Sequence, residues 1–451
     1  MRKPILFFCI SLLVTLYSSA QNAKIEKQLD ELFTKHFKPA EPGCALLVTK
    51  QGQVIYNKAF GSADLELSIP LATDMVFKLA SITKQFTAVA VLQLVEQGKI
   101  SLQDSIQKFV PDYPFKGYTI TIENLLTHTS GIKDYLQISY NNPNMERWDF
   151  TPKELIDSFK NHPLQFEPGT KFSYSNSGYY LLGYIIEKVS GKSYKKYMQE
   201  NIFTPLGLTH TYVNEETTVI PKRVKGYFKE GSTYKNADYW SSSITYAAGI
   251  LISNTEDLYK WFTGLLAYKI LKKETLDKAF TAYKLKDGSA LTYGYGWYIL
   301  NQNNISSIEH SGIMNGFTSN QIYYPKQDIF IAVLFNSQSA PRDGVSRTVS
   351  EIVLGQSLQK ANKVDAALLS SYVGTYSLST DSKRTITVTK DNDRLFAKVS
   401  GQQAFELLFQ TDTRFQLQNV KDATGEFVSE NGRVSKIIVD QNGKFEWVRI
   451  K

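Results

Sequence analysis

Cysteine is nearly absent from this chain. Its 451 residues include two, Cys9 and Cys44. Cys9 falls in a segment expected to be removed on export, so no internal disulfide is available and stability must come from a packed core. Histidine is also sparse. The five are far apart and no His-Glu-x-x-His occurs, which speaks against a metal centre. The Gly-x-Ser-x-Gly elbow is missing too, which argues against an α/β-hydrolase with a Ser-His-Asp triad. No apolar run is long enough to span a bilayer. The 51 Lys and Arg against 43 Asp and Glu are scattered without a stripe or cluster, so nucleic acid is a poor partner. No internal repeat or low-complexity tract is visible.

Residues 1–20 read as a signal peptide. Arg2 and Lys3 form a basic start, Pro4 to Tyr17 a short apolar stretch, and Ser18-Ser19-Ala20 a small-residue cleavage site. No lipobox cysteine follows. The expectation is export as a soluble periplasmic or secreted protein, with no integral membrane segment after cleavage. Removal leaves 49 basic against 43 acidic residues, a net charge of +6. Cys44, between Gly43 and Ala45-Leu46-Leu47-Val48, reads as a buried strand residue.

The remaining length suffices for two or three domains. Glu26 to His36 patterns as an amphipathic helix. Cys44 to Val48 and Val54 to Phe60 are strands of a hairpin. Helices follow at Phe86 to Val95, Ile122 to Thr127, Pro152 to Lys160 and Ser177 to Lys188. Pro221 to Tyr246 has no period and reads as a surface excursion. Ser253 with Glu256 reads as a capping box opening a helix through Leu265. Strand texture starts at Tyr293 and continues at Ile305 to Glu309, Thr318 to Tyr323 and Phe330 to Phe335, before a helix from Val345 to Leu354. Early and late strands therefore build one sheet around a helical insertion, an α/β (α+β) layout over residues 21–360. After a seam near Gln356 to Asp365, seven short strands fill 366–451: Tyr372 to Ser379, Thr385 to Thr389, Arg394 to Val399, Phe405 to Gln410, Arg414 to Val420, Val434 to Val439 and Lys444 to Ile450. Turns at Asn392-Asp393, Asn431-Gly432 and Asn442-Gly443 join some of them, giving an all-β barrel or sandwich.

Three stretches carry chemistry. Ser81-Ile82-Thr83-Lys84 precedes the apolar helix, which Gly98 ends. Ser81 then lies at a helix N-terminus, where free N–H groups favour an alkoxide, and Lys84 lies one turn along the same face. A desolvated lysine can serve as base. Ser-x-x-Lys occurs six times, and only here does it meet a helix start with a wholly apolar continuation; an ordinary N-cap is the competing reading. Tyr174-Ser175-Asn176 lies on a loop at the next long helix, where a tyrosinate beside Lys84 would shuttle protons and Asn176 would hold Lys84 and donate to a substrate carbonyl. Glu309-His310-Ser311-Gly312-Ile313 ends one strand. Gly312 would let substrate backbone approach the strand edge, and the Ile313 N–H would join the Ser81 N–H in an oxyanion hole. His310 is either part of this site or an ordinary buried histidine. His128 reads as helix-end capping, and Tyr293, Tyr295 and Trp297 as packing.

In this order the three stretches resemble the penicillin-recognising serine hydrolases, above all the branch of class C β-lactamases with related D-Ala-D-Ala carboxypeptidases, D-aminopeptidases and esterases. The resemblance spans about Cys44 to Gly355 and is reinforced by Leu125-Leu126-Thr127-His128-Thr129-Ser130-Gly131-Ile132, Pro205-Leu206-Gly207-Leu208 and Gly294-Tyr295-Gly296-Trp297. It implies the serine β-lactamase/D,D-peptidase-like fold with a helical subdomain, Ser81 as acylated nucleophile, Lys84 as aid to its deprotonation, Tyr174 as general acid/base and Asn176 as positioning residue. His310, Ser311 and Gly312 form the third motif. No cofactor and no metal are implied. The implied substrate is a small molecule or peptide, cell-wall-derived peptides included, cut at an amide or ester: a β-lactam, a D-amino-acid peptide or an ester. An esterase without β-lactam or peptidase activity, and a non-catalytic binding protein on the same fold, are the alternatives. The β-lactamases carry lysine where His310 stands, and a histidine is mostly neutral at pH 7. If its charge assists anionic substrates, their turnover falls from about pH 5.5 to 8. The loops Tyr135 to Asp149 and Pro221 to Tyr246, which would set selectivity, carry no readable code.

Overall fold

The computed structural model describes residues 21–139, 144–356, 364–391, 394–400, 404–417, 423–430, 432–440 and 443–450. The expected signal peptide, the turn residues Asn392-Asp393, Asn431 and Asn442, and most of the expected seam lie outside them. Packing divides the chain into two compact units, one through residue 301 with 305–342, the other 302–304 with 343–451.

The first unit is built on a six-stranded sheet. From edge to edge it runs Tyr298–Gln302, Ile305–Met314, Phe317–Tyr324, Ile329–Phe335, Cys44–Lys50 and Gln53–Phe60. Cys44 pairs with Phe335 and Lys50 with Ile329, antiparallel, so the earliest strands close against the latest. Cys44–Lys50 and Ile329–Phe335 are near-continuous apolar runs, and both are buried throughout apart from Lys50, as strands covered on both faces must be. Residues 21–36 are helical and bury Ile25, Leu29 and Phe33 at four-residue spacing.

The helical layer holds Thr83–Glu96, and all but its last two residues are buried. A helix apolar on every side can only sit inside a core. Its Phe86 stacks on Trp261, with ring centroids 3.8 Å apart. Trp261 belongs to Thr255–Leu266, whose Phe262 lies 4.8 Å from Tyr323 and 5.5 Å from Phe330 on the sheet. An aromatic column thus fixes the helix Thr83–Glu96 to the sheet.

Two glycines allow close approaches around Ser81 and Lys84. A Cβ on Gly296 (φ +92°) would meet Lys84 O at 3.0 Å. A Cβ on Gly312 would lie 2.2 Å from Leu79 O and 2.6 Å from Ser319 Oγ. Gly312 therefore lets its strand approach the chain's own Leu79–Ala80 backbone.

Several boundaries differ from the sequence reading. Pro221 to Tyr246 holds a hairpin, Tyr227–Glu230 with Thr233–Asn236, and most of the helix Ser242–Gly249. Its alternating polar and aromatic residues mask a buried Tyr227. The helix Thr255–Leu266 is capped one residue later than expected, by Asn254 accepting from the Asp257 N–H at 2.8 Å. Asp257 is instead buried and accepts from the His210 N–H and Thr211 Oγ1.

The second unit contains a closed barrel of eight strands: Gly374–Leu378, Asp381–Asp391, Arg394–Val399, Ala404–Phe409, Arg414–Leu417, Thr424–Glu430, Arg433–Asp440 and Lys444–Arg449. Tyr372 ends a short helix, Ala366–Tyr372, and does not open the first strand as expected. The strand Thr424–Glu430, which the sequence reading lacks, completes the closure.

Gly312→Ala tests how the sheet seats the nucleophile turn. The added methyl must displace Leu79 or Ser319, an overpacking cost of about 1–3 kcal/mol. The expected outcome is a melting midpoint several degrees lower together with slower acylation at Ser81. An unchanged midpoint and rate would show that the approach is not tight.

Candidate active site

Ser81 lies in a single 3₁₀ turn, Ala80–Ile82, immediately before the helix Thr83–Glu96. The preceding strand Phe77–Lys78 pairs with Leu251–Ser253. Ala80 is left-handed (φ +49°), a conformation costing a non-glycine residue about 1–2 kcal/mol. The surroundings enforce it. Leu79 N–H donates to Leu251 O at 2.9 Å, and Leu79 O accepts from Ser319 Oγ at 2.8 Å. No side chain caps the helix, whose N-cap is Ile82. The N-cap reading of Ser81 therefore fails: its hydroxyl, partly exposed, has no structural duty at the helix end.

Lys84 is fully buried. Its Nζ is 3.0 Å from Ser81 Oγ, 2.8 Å from Asn176 Oδ1 and 2.9 Å from Ala248 O. In the ammonium form it donates to all three. As a free amine it can accept the Ser81 proton across the same 3.0 Å. Burial pushes its pKa down to about 7, opposed by the nearby Asp134 carboxylate. Ala248 O was not legible in the sequence. It is presented by the helix Ser242–Gly249, in which Tyr246 is bent out of helical geometry (φ 33°, ψ −135°). The carbonyls that follow turn toward the nucleophile helix, Ala247 O to Thr87 Oγ1 at 2.7 Å and Ala248 O to Lys84.

Tyr174 approaches from the loop before Asn176–Ser190. Its ring centroid is 4.8 Å from Lys84 Nζ. Burial among rings holds the phenol well above its ordinary pKa. The expected tyrosinate is corrected on that ground: before reaction the group is a neutral phenol, a proton donor. His128 fixes the loop. Its O accepts from Ser173 N–H at 2.9 Å and its Nδ1 from Ser175 N–H at 3.1 Å, so it grips the backbone on both sides of Tyr174. Its ring lies 4.2 Å from the Tyr174 ring. Burial holds His128 well below its usual pKa, hence neutral. It also ends the helix Ile122–Leu126 as expected: its backbone is left-handed (φ 58°), its N–H donates to Leu125 O at 3.4 Å and the Thr129 N–H to Asn124 O at 2.9 Å, so the helix cap is at the same time a positioning residue for Tyr174.

Asn176 links the base to a carboxylate. Its Oδ1 accepts from Lys84, while its Nδ2 donates to Asp134 Oδ2 at 2.8 Å and its backbone N–H donates to the same oxygen at 3.1 Å. Half of the amide's donor capacity is therefore spent on Asp134. Asp134 is itself buried, and its carboxyl is raised by desolvation against the pull of the Asn176 and Leu136 N–H groups. Sequence reasoning missed Asp134 because a lone aspartate in Gly-Ile-Lys-Asp-Tyr carries no motif.

The third stretch lies on Ile305–Met314. His310 is 1 % exposed. Its Nδ1–H donates to Ser311 O at 2.7 Å, and Nε2 meets the Tyr293 hydroxyl at 3.0 Å. Both ring nitrogens are thus engaged by the protein and buried. His310 would therefore assist an anionic substrate through its charge and not by direct contact. Ser311 and Ile313 alternate with it and reach solvent, Ile313 at 56 % exposure. The cation at this stretch is Arg342, whose Nη1 donates to Gly312 O at 3.2 Å. Tyr293 and Trp297 are fully buried, and Tyr295 nearly so. Among the described residues no three His, Cys, Asp or Glu side chains are grouped to hold a metal, and no helix is long and apolar enough to cross a membrane.

A serine hydroxyl on a buried lysine, with a tyrosine ring beside that lysine, is the arrangement of a serine hydrolase. The comparisons agree. The family model described as Beta-lactamase matches residues 23–354, and a second, described as a domain of unknown function (DUF3471), matches 358–449. The chain belongs to the β-lactamase family, with an added C-terminal domain. It is 30% identical over 455 residues to penicillin-binding protein 4* of Bacillus subtilis (strain 168), covering 94% of this chain and 99% of that one. Among solved structures it resembles the octameric penicillin-binding protein homologue from Pyrococcus abyssi, with a TM-score of 0.66, 27% identity and coverage of 94% and 99%. It also resembles the D-amino acid amidase from Ochrobactrum anthropi SV3 complexed with D-phenylalanine, with a TM-score of 0.65, 25% identity and coverage of 74% and 99%.

The rate of inactivation by a fluorophosphonate, followed from pH 5 to 9, tests the electrostatics. Only neutral Lys84 can take the serine proton, so the rate is expected to rise with pH and level off above about 7. Asp134→Asn removes the charge that holds the lysine protonated, so its midpoint is expected at lower pH. A midpoint unmoved or shifted upward would contradict the role given to Asp134.

Proposed function

We propose that this protein is an exported hydrolase that cleaves amide or ester bonds through a Ser81 acyl-enzyme. The observation that carries the reading is the 3.0 Å contact between Ser81 Oγ and a buried Lys84 whose pKa is lowered to about 7. Neutral Lys84 takes the Ser81 proton as Oγ attacks the carbonyl carbon. The N–H groups of Ser81 and Ile313 receive the oxyanion. The Tyr174 phenol gives its proton to the leaving nitrogen or oxygen and is reprotonated from Lys84, which returns to the amine. In deacylation water attacks the ester carbon, its proton passes to Lys84, and Lys84 gives that proton to Ser81 Oγ as the acid leaves. With Tyr174 held protonated, Lys84 and not a tyrosinate activates that water.

The names of its relatives, a penicillin-binding protein and a D-amino acid amidase, support amides and peptides of D-amino acids as the substrate class. Arg342 beside the third motif supports recognition of an anionic group where the β-lactamases use lysine. The signal-peptide pattern in residues 1–20 supports a periplasmic or secreted site of action on cell-wall-derived or other small peptides.

Intact-mass spectrometry after treatment with a fluorophosphonate, penicillin or a D-phenylalanine ester tests this. The wild-type protein is expected to gain one adduct, mapped to Ser81. Ser81→Ala is expected to gain none, and Lys84→Met to be acylated at least about 10³-fold more slowly. Full labelling of the Ser81→Ala variant would falsify the assignment.

A further inference from the structure

We infer that the C-terminal barrel is a binding site for a small amphiphile, an unbranched aliphatic carboxylate of about ten carbons, with its chain inside the barrel and its head group at Arg384. An eight-stranded barrel has room inside either for its own side chains or for one small ligand. This barrel does both. Tyr372, Tyr376, Phe409 and Phe427 fill part of the interior, with the Tyr372 and Phe427 rings stacked 4.0 Å apart. Beside them lies a cavity of about 320 Å³, lined by Leu378, Ile386, Phe415, Ile437 and Trp447 among others. At roughly 30 Å³ per water-sized group, that space takes about ten chain atoms. A cell-wall peptide does not fit it.

Two polar features say what kind of molecule fits. The Trp447 indole lines the cavity and is 5 % exposed, and its Nε1–H has no hydrogen-bond partner among the described residues. A buried donor left unpaired is costly, and an oxygen on a bound molecule would satisfy it. Arg384 also lines the cavity. It precedes Ile386 and Val388 by two and four residues on one strand, and both of those side chains are buried in the barrel, so it shares their inward register. It is exposed, at the cavity's open end. Leu378 pairs with Trp447 across one strand and with Asp381 across the other, so the indole and the guanidinium belong to the same end of the barrel. An apolar cavity with an exposed cation on its lining and an unpaired buried donor in its wall matches a chain with a carboxylate head. The inference is independent of the hydrolase reading.

Isothermal titration of the full mature chain with sodium decanoate, decanol and sodium butyrate is the test. Decanoate is expected to bind one to one with a Kd of about 10–100 μM, decanol at least about fivefold more weakly and butyrate about a hundredfold more weakly. Arg384→Ala is expected to bring decanoate down to decanol's affinity and leave decanol unchanged. Ala397→Trp, filling the cavity, is expected to abolish binding of both; Val399→Phe does the same if the first variant does not fold. Ser81→Ala is expected to bind decanoate as the wild type does. The inference is overturned if the wild-type chain binds none of the three, if butyrate binds as well as decanoate, if a folded cavity-filled variant binds decanoate unchanged, or if Ser81→Ala loses binding.

Discussion

The site depends on one burial: an amine on the first turn of a helix that has no solvent-facing side along its first twelve residues. Lys84 cannot reach water, so its charge is disfavoured and its amine is available near neutral pH. Three acceptors hold it, the Ser81 hydroxyl, the Asn176 amide oxygen and the Ala248 carbonyl. Each comes from a different element, so packing the helix also gathers the site. The arrangement carries a linkage. Between about pH 7 and 10.5 the unfolded chain binds a proton at Lys84 that the folded chain does not, so this residue makes folding less favourable as pH falls through that window. The catalytic state of the lysine is maintained at a cost in stability.

The rest of the first unit resists that cost by geometry. The left-handed Ala80 and the bent Tyr246 are both buried and strained. Each sits beside a group that must point at the lysine, Ser81 in one case and the Ala248 carbonyl in the other. Gly296 and Gly312 let two neighbouring segments close on this region without a side chain between them. Asp134 offsets part of the desolvation of Lys84 through Asn176, so the pKa is set by competition between burial and one carboxylate.

Much of this was legible in the sequence, for physical reasons that differ by residue. The apolar run after Ser81 announced a buried helix, and buried helix plus serine plus lysine at one-turn spacing is a local pattern. Tyr174 and the 310–313 stretch were legible only through their resemblance to a family, since each motif recurs or stands alone. Asp134, Ala248 and Arg342 were not legible: an aspartate, a backbone carbonyl and a helix-start arginine acquire meaning only when the fold brings the first two to the lysine and the third to Gly312. His128 was legible as a helix end, but its double grip on the loop of Tyr174 was not, because those contacts are tertiary. In the barrel, Thr424–Glu430 escaped because Gly425 and two glutamates break the alternation, although Phe427 is buried at the centre.

The central claim is that Lys84 titrates as a buried amine and not as an ordinary lysine. NMR of the protein with ¹³C-labelled lysine, with the Lys84 resonance assigned by its loss in Lys84→Met, measures this without any substrate. The account predicts an apparent pKa near 7 for that one resonance. A value near 10.5, like those of the surface lysines, would contradict it.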